Sequence, residues 1–373
     1  MSFKRIMALV LCVVCLIGVF AGCSKKEEDE GYVNTSGRDN TAGRAVYDGD
    51  EVVMTINGED VTWNRFFDMV CYAVSDYETT YGPITDFAEG TATGTMSDVI
   101  KDDAEYYLSI FAAAEKNMAD QNVSYPEDMD KQIADVWNSD ITQHGTEEDL
   151  IAFVNDYYGS RENYEYIIKT NILHNLLFNA MYGESGSKVT DSEIEENAQD
   201  YIQAKHILIE TVDENGNPLD EISKVSKMAE AQSILKDLKS YKGDDLQGYF
   251  EELMEKHNED DGAQYYPKGY LFTDGDMVSG FYEAAKALKP GELSDIVETE
   301  YGYHIILRLP LNRDSIPINY ARYGVSYTLD YIVANRLFSE DFTRWSGENE
   351  IVHTPFYDTI DLAKVFPKAE TDK

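Results

Sequence analysis

The hydrophobic pattern of this chain of 373 residues changes near residue 203. From about residue 97 to 200, apolar residues recur at helical spacing, which predicts a series of amphipathic helices. Lys205-His206-Ile207-Leu208-Ile209 is then a short apolar run typical of a strand, and residues 294–309 are typical of a hairpin. Three helices are expected between them, at about 224–240, 244–257 and 279–288. This order of elements predicts a compact α+β domain over residues 200–310.

The helical part of the chain is expected to begin with a short strand. Apolar residues alternate in the run Val52–Ile56, and Asn57-Gly58 is a turn signal. Residues 46–199 otherwise contain amphipathic helices and no catalytic motif, which favours a scaffold over an enzyme domain. The segment 350–366, near the C-terminus, can supply one further strand.

The N-terminus has the features of a targeting segment. Two basic residues precede the apolar run Ile6–Phe20, which is shorter than the roughly 20 residues that span a bilayer and suits a secretory signal peptide. Phe20-Ala21-Gly22-Cys23 resembles a bacterial lipobox, which implies a signal peptide over residues 1–22 and a lipid anchor on Cys23. An ordinary signal peptide followed by an incidental cysteine is the alternative. Residues 23–45 are polar and predict a flexible acidic tether.

Charge and cysteine content exclude several classes of function. The formal net charge is −39, which disfavours binding to nucleic acid and favours basic polypeptide partners. Of four cysteines, two lie in the expected signal peptide and Cys23 is the expected lipidation site. Only Cys71 would then remain, so a disulfide framework, a zinc ribbon and a Cys-x-x-Cys redox centre are not expected.

Four segments of the α+β domain together resemble the parvulin family of peptidyl-prolyl isomerases. They match the family's opening strand, pocket segment, turn and closing hairpin in that order: Lys205–Leu208, Asp276–Phe281, Ala287–Ser294 and Thr299–Ile306. The resemblance implies a four-stranded antiparallel sheet with helices, and cis-trans isomerisation of X–Pro peptide bonds. Four ordered motifs at the family's spacing are far more specific than any one of them.

The resemblance also implies a set of catalytic side chains. His206 and His304 match the two histidines that face each other at the floor of the family's active site. Asp260 falls where relatives place a Cys or an Asp beside that pair, and Thr299 matches a hydroxyl residue that supports the histidines. Two histidines and one carboxylate could alternatively form a metal site, but the family resemblance already explains them, so neither a metal nor a cofactor is expected.

The substrate side of the expected site partly departs from the family. Met277 and Phe281 match the apolar pocket that holds the proline ring. In contrast, Tyr265–Tyr270 stands where relatives have Gly-Gly-Asp-Leu-Gly, so we expect a reshaped rim and a changed substrate preference. The loop 210–221 is acidic where phosphate-dependent parvulins carry basic residues, which predicts no dependence on phosphorylation.

The other histidines are expected to be structural. A lone histidine in a helical or strand pattern is more often a hydrogen-bonded core residue than a ligand, and this interpretation is favoured for His174 and His353. His257 is expected at the end of a helix.

The flanking segments resemble those of PrsA-like foldase lipoproteins and SurA-like periplasmic chaperones. Residues 46–199 match the helical chaperone domain of these proteins, which leads into the isomerase through a segment like Val189–Ile194. By that resemblance, residues 311–373 return to complete the chaperone domain, and the parvulin domain is inserted between its two parts.

These expectations define a leading function and its alternatives. The leading one is a lipid-anchored foldase on the extracytoplasmic face of a bacterial membrane, acting on unfolded exported proteins. The second is a parvulin-fold chaperone that holds secreted clients with little dependence on catalysis, and the third is a solute-binding lipoprotein. A homodimer through the helical domain is left open, and no nucleic acid partner is expected.

Overall fold

The computed structural model describes residues 38–367. Residues 38–367 divide into two compact units, one made of residues 38–181 together with residues 337–367, the other of residues 182–336. The expected signal peptide, its lipidation site Cys23 and most of the expected tether lie outside the described residues. No helix within residues 38–367 is both long enough and apolar enough to cross a bilayer.

The first unit is mainly helical. Its elements up to residue 182 are α1 Asn40–Arg44, β1 Val52–Ile56, β2 Glu59–Thr62, α2 Trp63–Tyr81, β3 Gly90–Thr91, β4 Gly94–Thr95, α3 Met96–Asn117, α4 Met129–His144, α5 Glu147–Tyr157 and α6 Arg161–Tyr182. The predicted series of amphipathic helices is therefore present. Large apolar side chains on α2 and α3, among them Phe66, Phe67 and Phe111, are fully buried and form the centre of the unit.

A short antiparallel sheet joins the two ends of this unit. β1 and β2 form the predicted hairpin, in which Asn57 and Gly58 take positive φ angles of 54° and 85°. A two-residue turn of this kind needs positive φ at both positions, which Asn-Gly tolerates. The C-terminal segment supplies a third strand that pairs antiparallel with β1, as the sequence predicted near residues 350–366. His353 lies on that strand and is exposed, so the expectation of a core histidine is wrong there.

The last residues of the expected tether belong to the first unit. Trp63 donates from its indole nitrogen to the carbonyl of Arg44 at 2.8 Å, and the Arg44 guanidinium pairs with Asp68. Gly43 in α1 is buried, and an added Cβ there would lie 3.0 Å from the carbonyl oxygen of Val365. Polar composition near residue 40 therefore did not imply a solvated chain, because these polar groups have partners in the folded unit.

The second unit contains the α+β domain. Its elements are α7 Asp191–Asn197, β5 Ile202–Glu210, α8 Glu221–Ser240, α9 Leu246–His257, β6 Tyr270–Phe272, α10 Ser279–Ala287, β7 Val297–Glu298, β8 Gly302–Leu309 and α11 Ile318–Arg322. The C-terminal elements that follow are α12 Leu329–Gly347, β9 Ile351–His353 and α13 Leu362–Val365. The predicted α+β fold class and its helix positions are confirmed, and His257 ends α9 as expected.

The sheet of the second unit has four antiparallel strands in the order β6-β5-β8-β7. Successive side chains of a strand point to opposite faces of the sheet. Ile207 and Ile209 therefore lie on the same face, where they pack with the helices α8 and α9. Ala204 and Ile306 lie on the other face with Phe281 of α10. In the strand register, His206 is opposite Ile306 and His304 is opposite Leu208. The two histidines are therefore diagonal neighbours on the α10 face of the central strand pair.

This unit is larger than the predicted span of 200–310. The amide of Gln203, fully buried, donates to the hydroxyl of Ser315 at 2.9 Å and accepts from the backbone N–H of Asn312 at 2.8 Å. Ile318 of α11 is 5% exposed and joins the apolar cluster around Phe281. The segment after the last strand therefore packs on the sheet face that carries the histidines.

Candidate functional site

The site is centred on the two histidines of the central strand pair. The Nδ1 atoms of His206 and His304 lie 3.0 Å apart, and their rings stack at 22° with centroids 5.2 Å apart. Both side chains are buried, at 6% and 4% exposure. Two nitrogen atoms at this distance share one proton in a hydrogen bond, so one ring donates and the other accepts.

Asp260 ends this chain of polar groups on one side. Its Oδ2 atom lies 2.8 Å from Nε2 of His206 and 2.6 Å from the hydroxyl of Tyr270, while Oδ1 accepts from the N–H of Gly262 at 2.9 Å. Burial by itself raises the pKa of Asp260, but the hydrogen bonds from His206 and Tyr270 outweigh it and hold the pKa at about 2. The carboxylate is therefore ionised and only accepts.

Thr299 ends the chain on the other side. Its hydroxyl lies 2.8 Å from Nε2 of His304 and also accepts from the N–H of Tyr301 at 3.2 Å. Burial, together with the neighbouring His206, lowers the pKa of His304 to about 3, so this imidazole is neutral at pH 7.

The ionised Asp260 sets the direction of the hydrogen bond at its own end of the chain. Because a carboxylate can only accept, Nε2 of His206 donates to it. Nδ1 of His206 is bonded to Nδ1 of His304, and Nε2 of His304 to the hydroxyl of Thr299, so every nitrogen of the two rings has a partner.

An apolar cavity of about 420 Å³ opens beside the histidines. The Phe281 ring meets both imidazoles edge-on, with centroids 5.1 Å from His206 and 5.4 Å from His304. Met277 lines the same cavity and is half-buried. Other apolar or aromatic walls come from Tyr266, Val278 and Ile318. A wall of this kind suits a small ring such as that of proline.

Charged side chains surround the cavity. Glu210 and Asp276 line it together with Asp260, and Arg322 of α11 is the cation among its lining residues. The carboxylate of Asp276 accepts from the N–H and the hydroxyl of Thr273. The lining of the cavity therefore includes three carboxyl groups and one guanidinium group.

The structure brings together all of the site residues predicted within residues 38–367. His206, His304, Asp260 and Thr299 form one hydrogen-bond chain, and Met277 and Phe281 line the cavity beside it. Their roles in catalysis remain predictions, as does lipidation of Cys23. Within residues 38–367 no group of three or more His, Cys, Asp or Glu side chains is arranged to hold a metal ion.

Sequence reasoning missed three residues of this region. Tyr270 lies in the run that departs from the family, and that departure was the available signal. Asn258 accepts from the N–H of Leu208 at 2.8 Å and donates to the carbonyl of Asp260, so it fixes the loop that carries the carboxylate. Ile318 lies beyond the family motifs, and no sequence pattern connects it to the site.

Comparison with known proteins agrees with this geometry. Residues 188–308 match the PPIC-type PPIase domain family. The foldase protein PrsA of Levilactobacillus brevis is 34% identical over 151 residues, which cover 38% of this chain and 43% of that protein. PrsA of Halalkalibacterium halodurans is 32% identical over 199 residues, 51% of this chain and 53% of that one. The chain spans about half the length of these curated relatives.

Solved structures were compared with this chain as well. The crystal structure of PrsA from Bacillus subtilis aligns over 81% of this chain and 93% of that chain, at 21% identity and a TM-score of 0.23. The family match covers the strands, the histidine pair and the pocket segment described above. Residues 188–308 are therefore a parvulin-type peptidyl-prolyl isomerase domain, carried by a chain that is similar to the PrsA foldases.

Proposed function

We propose that this protein catalyses cis-trans isomerisation of X–Pro peptide bonds in unfolded polypeptides, without needing phosphorylation of the substrate. The observation that carries the proposal is the apolar cavity beside two buried, hydrogen-bonded histidines. Met277 and Phe281 are assigned to the proline ring, and His206, His304, Asp260 and Thr299 to the floor beneath the rotating amide.

The reaction fits a site of this composition. Rotation about a peptide bond faces a barrier of about 18–20 kcal/mol from amide resonance, and X–Pro isomerisation takes tens to hundreds of seconds without a catalyst. No bond is made or broken, so a site accelerates rotation by binding the twisted amide better than either planar form. Apolar walls hold the proline ring and remove water from the amide, and the hydrogen-bonded pair of imidazoles adds polarity at the floor of the pocket.

The acidic surroundings support the absence of phosphate dependence. Glu210 lines the cavity and begins the acidic loop that follows β5. A phosphate carries about −1.5 to −2 charges at pH 7 and is repelled by such a surface. Arg322 is the cation that could oppose this, so a phosphoserine-proline peptide should be compared in the wild type and in Arg322→Ala. Faster turnover of the phosphopeptide than of its plain counterpart in both proteins would contradict the proposal.

We further propose a lipid-anchored foldase at the extracytoplasmic face of a bacterial membrane. The lipobox-like sequence ending at Cys23 supports the anchor, and the likeness to PrsA foldases supports unfolded exported proteins as clients. Labelling with a radioactive fatty acid tests this point: the wild type should be labelled, and Cys23→Ser should not.

The central experiment measures isomerisation of a proline tetrapeptide by the full chain. The variant with both His206→Ala and His304→Ala is expected to lose at least about tenfold in kcat/KM, because a loss of about 1.4 kcal/mol of transition-state stabilisation is tenfold. His257→Ala is the matched control, since this histidine ends α9 and does not line the cavity. An unchanged rate in the double variant would refute the proposal. If this variant still prevented aggregation of a proline-free client, the holding chaperone would be the better description of that second activity.

A further inference from the structure

The segment that follows the last strand of the sheet forms part of the cavity wall. Ile318 and Arg322 of α11 both line the cavity. They are the first and last residues of this helix, at the spacing i, i+4 that places side chains on the same face. The match to the isomerase family ends at residue 308, so this wall lies outside the matched domain. One face of α11 therefore adds to the cavity a side that the family motifs do not supply.

Hydrogen bonds attach the segment before α11 to the sheet. The side-chain nitrogen of Gln203, a fully buried residue of β5, donates to the hydroxyl of Ser315 at 2.9 Å. Its side-chain oxygen accepts from the N–H of Asn312 at 2.8 Å. α11 itself packs against β6. Because a buried amide that loses its partners is costly, these contacts hold the wall in one position.

Ile318 is the apolar part of this wall. It is 5% exposed and packs in the cluster that contains Phe281 and Tyr270, which also line the cavity. Met277 and Phe281 are assigned to the proline ring. The cavity of about 420 Å³ is in the size range of pockets that hold ligands larger than one small ring. It therefore has room, beside the proline ring, for part of a neighbouring residue of the substrate.

We propose that Ile318 is a specificity-determining residue that limits the size of the side chain next to the substrate proline. This inference rests on the proposed isomerase function for its effect on rate, but not for its effect on peptide binding. A larger side chain at position 318 takes up space that the substrate needs, and a smaller one leaves space for a larger substrate side chain. A residue that acted only through packing would change the rates of small and large substrates alike.

The rate test uses Ile318→Ala and Ile318→Phe in the full chain. kcat/KM is measured for proline tetrapeptides that carry either Ala or Phe, before proline in one series and after it in the other. Ile234→Ala is the matched control, because Ile234 is 3% exposed, lies on α8 and packs on the opposite face of the sheet. Thermal melting checks that each variant is folded.

The ratio of kcat/KM for the Phe peptide to that for the Ala peptide is the quantity that decides. It should rise about fivefold in Ile318→Ala, fall about fivefold in Ile318→Phe, and keep its wild-type value in Ile234→Ala. These changes lie below the roughly 10–200-fold that one methylene contributes in an enclosed apolar pocket, because the exposed residues Tyr301 and Arg322 also line the cavity. The series that responds identifies the side of the proline that faces α11.

A second test measures peptide binding without relying on activity. Isoleucine methyl groups are labelled with ¹³C in the full chain. The signal lost in Ile318→Val assigns Ile318, and the signal lost in Ile234→Val assigns Ile234. On titration with the Ala peptides, the methyl signal of Ile318 should shift with peptide concentration, whereas that of Ile234 should stay in place.

Three results would overturn the inference. They are a Phe-to-Ala ratio that does not move in opposite directions in Ile318→Ala and Ile318→Phe, an equal change of the ratio in Ile234→Ala, and a methyl signal of Ile318 that the peptides leave in place. If the wild type had no isomerase activity, the proposed function would fail, while a peptide-dependent shift of the Ile318 methyl signal would still support its contact with the substrate.

Discussion

His174 in the first unit and His304 in the second are both buried histidines, and burial lowers the pKa of each to about 3. Their surroundings differ. His174 lies on α6 among the rings of Phe111, Phe338 and Phe342, the nearest centroid being 4.5 Å away. Its Nε2 atom has no hydrogen-bond partner among the described residues. His304 has a partner at each nitrogen and faces the cavity of about 420 Å³.

The comparison shows that a shifted pKa does not by itself identify a site. Burial disfavours the charged imidazole in the same direction in both places. What distinguishes His304 is a chain of hydrogen bonds that ends on an ionised carboxylate, beside a space that a substrate can enter. His174 is a core residue, as the sequence suggested, but an incompletely hydrogen-bonded one, held by aromatic packing.

The largest expected difference between the two histidines is in activity. His304→Leu should lower kcat/KM for a proline tetrapeptide about 30-fold, because it removes the hydrogen bonds of His304 to Nδ1 of His206 and to the hydroxyl of Thr299 at a cost of about 2 kcal/mol. His174→Leu should stay within about twofold of the wild type, since its surroundings contain no part of the cavity. Equal losses of kcat/KM in the two variants, with unchanged melting temperatures, would show that the two histidines do not differ in their effect on catalysis.

The second expected difference is in the acid dependence of stability. The folded pKa of His174 is about 3 against an ordinary value of 6.5, so the unfolded chain takes up the proton first as the pH falls. From pH 6.5 down towards pH 3, this residue should lower the free energy of unfolding by about 1.4 kcal/mol per pH unit, and above pH 6.5 it should contribute no slope.

Replacing His174 by Phe should remove that slope for the first unit. The measurement is urea unfolding at pH 7, 6, 5 and 4.5, followed by tryptophan fluorescence, since all three tryptophans of the chain, Trp63, Trp137 and Trp345, lie in that unit. His144→Phe, at the half-buried end of α4, is the control and should keep the wild-type slope. An identical acid dependence in wild type and His174→Phe would show that His174 is not held neutral by the fold.

The smallest expected difference concerns the charges around His304, which have no counterpart in the aromatic surroundings of His174. Arg322 is exposed at the cavity and should favour a substrate with an acidic residue next to proline. An exposed pair contributes about 0.2–1 kcal/mol, so Arg322→Ala should lower kcat/KM about threefold for a peptide with Glu before proline and leave an Ala-Pro peptide unchanged. Lys289→Ala, an exposed cation outside the cavity, should affect neither peptide. A loss that is the same for both peptides would exclude a role for the charge.

Much of the second unit was predictable because its signals are local. Short apolar runs around His206 and His304 predicted the strands, and the family motifs gave their order along the chain. The sequence of the first unit predicted less of its structure. Its helices followed from periodicity, but burial of the α1 segment did not, because polar residues find their partners only after distant parts of the chain have met.

The sequence by itself determined the α+β domain, the histidine pair, Asp260, Thr299 and the apolar pocket residues, because these lie in ordered motifs with characteristic spacing. Only the tertiary structure decided that Tyr270 bonds to the carboxylate end of the hydrogen-bond chain and that Ile318 lines the cavity. Both depend on contacts between residues 10 or more positions apart, Tyr270 reaching Asp260 from the next strand and Ile318 reaching Phe281 from a helix after the last strand. Hydrophobic periodicity reports which face of an element is buried, but it does not report which distant side chain meets it there.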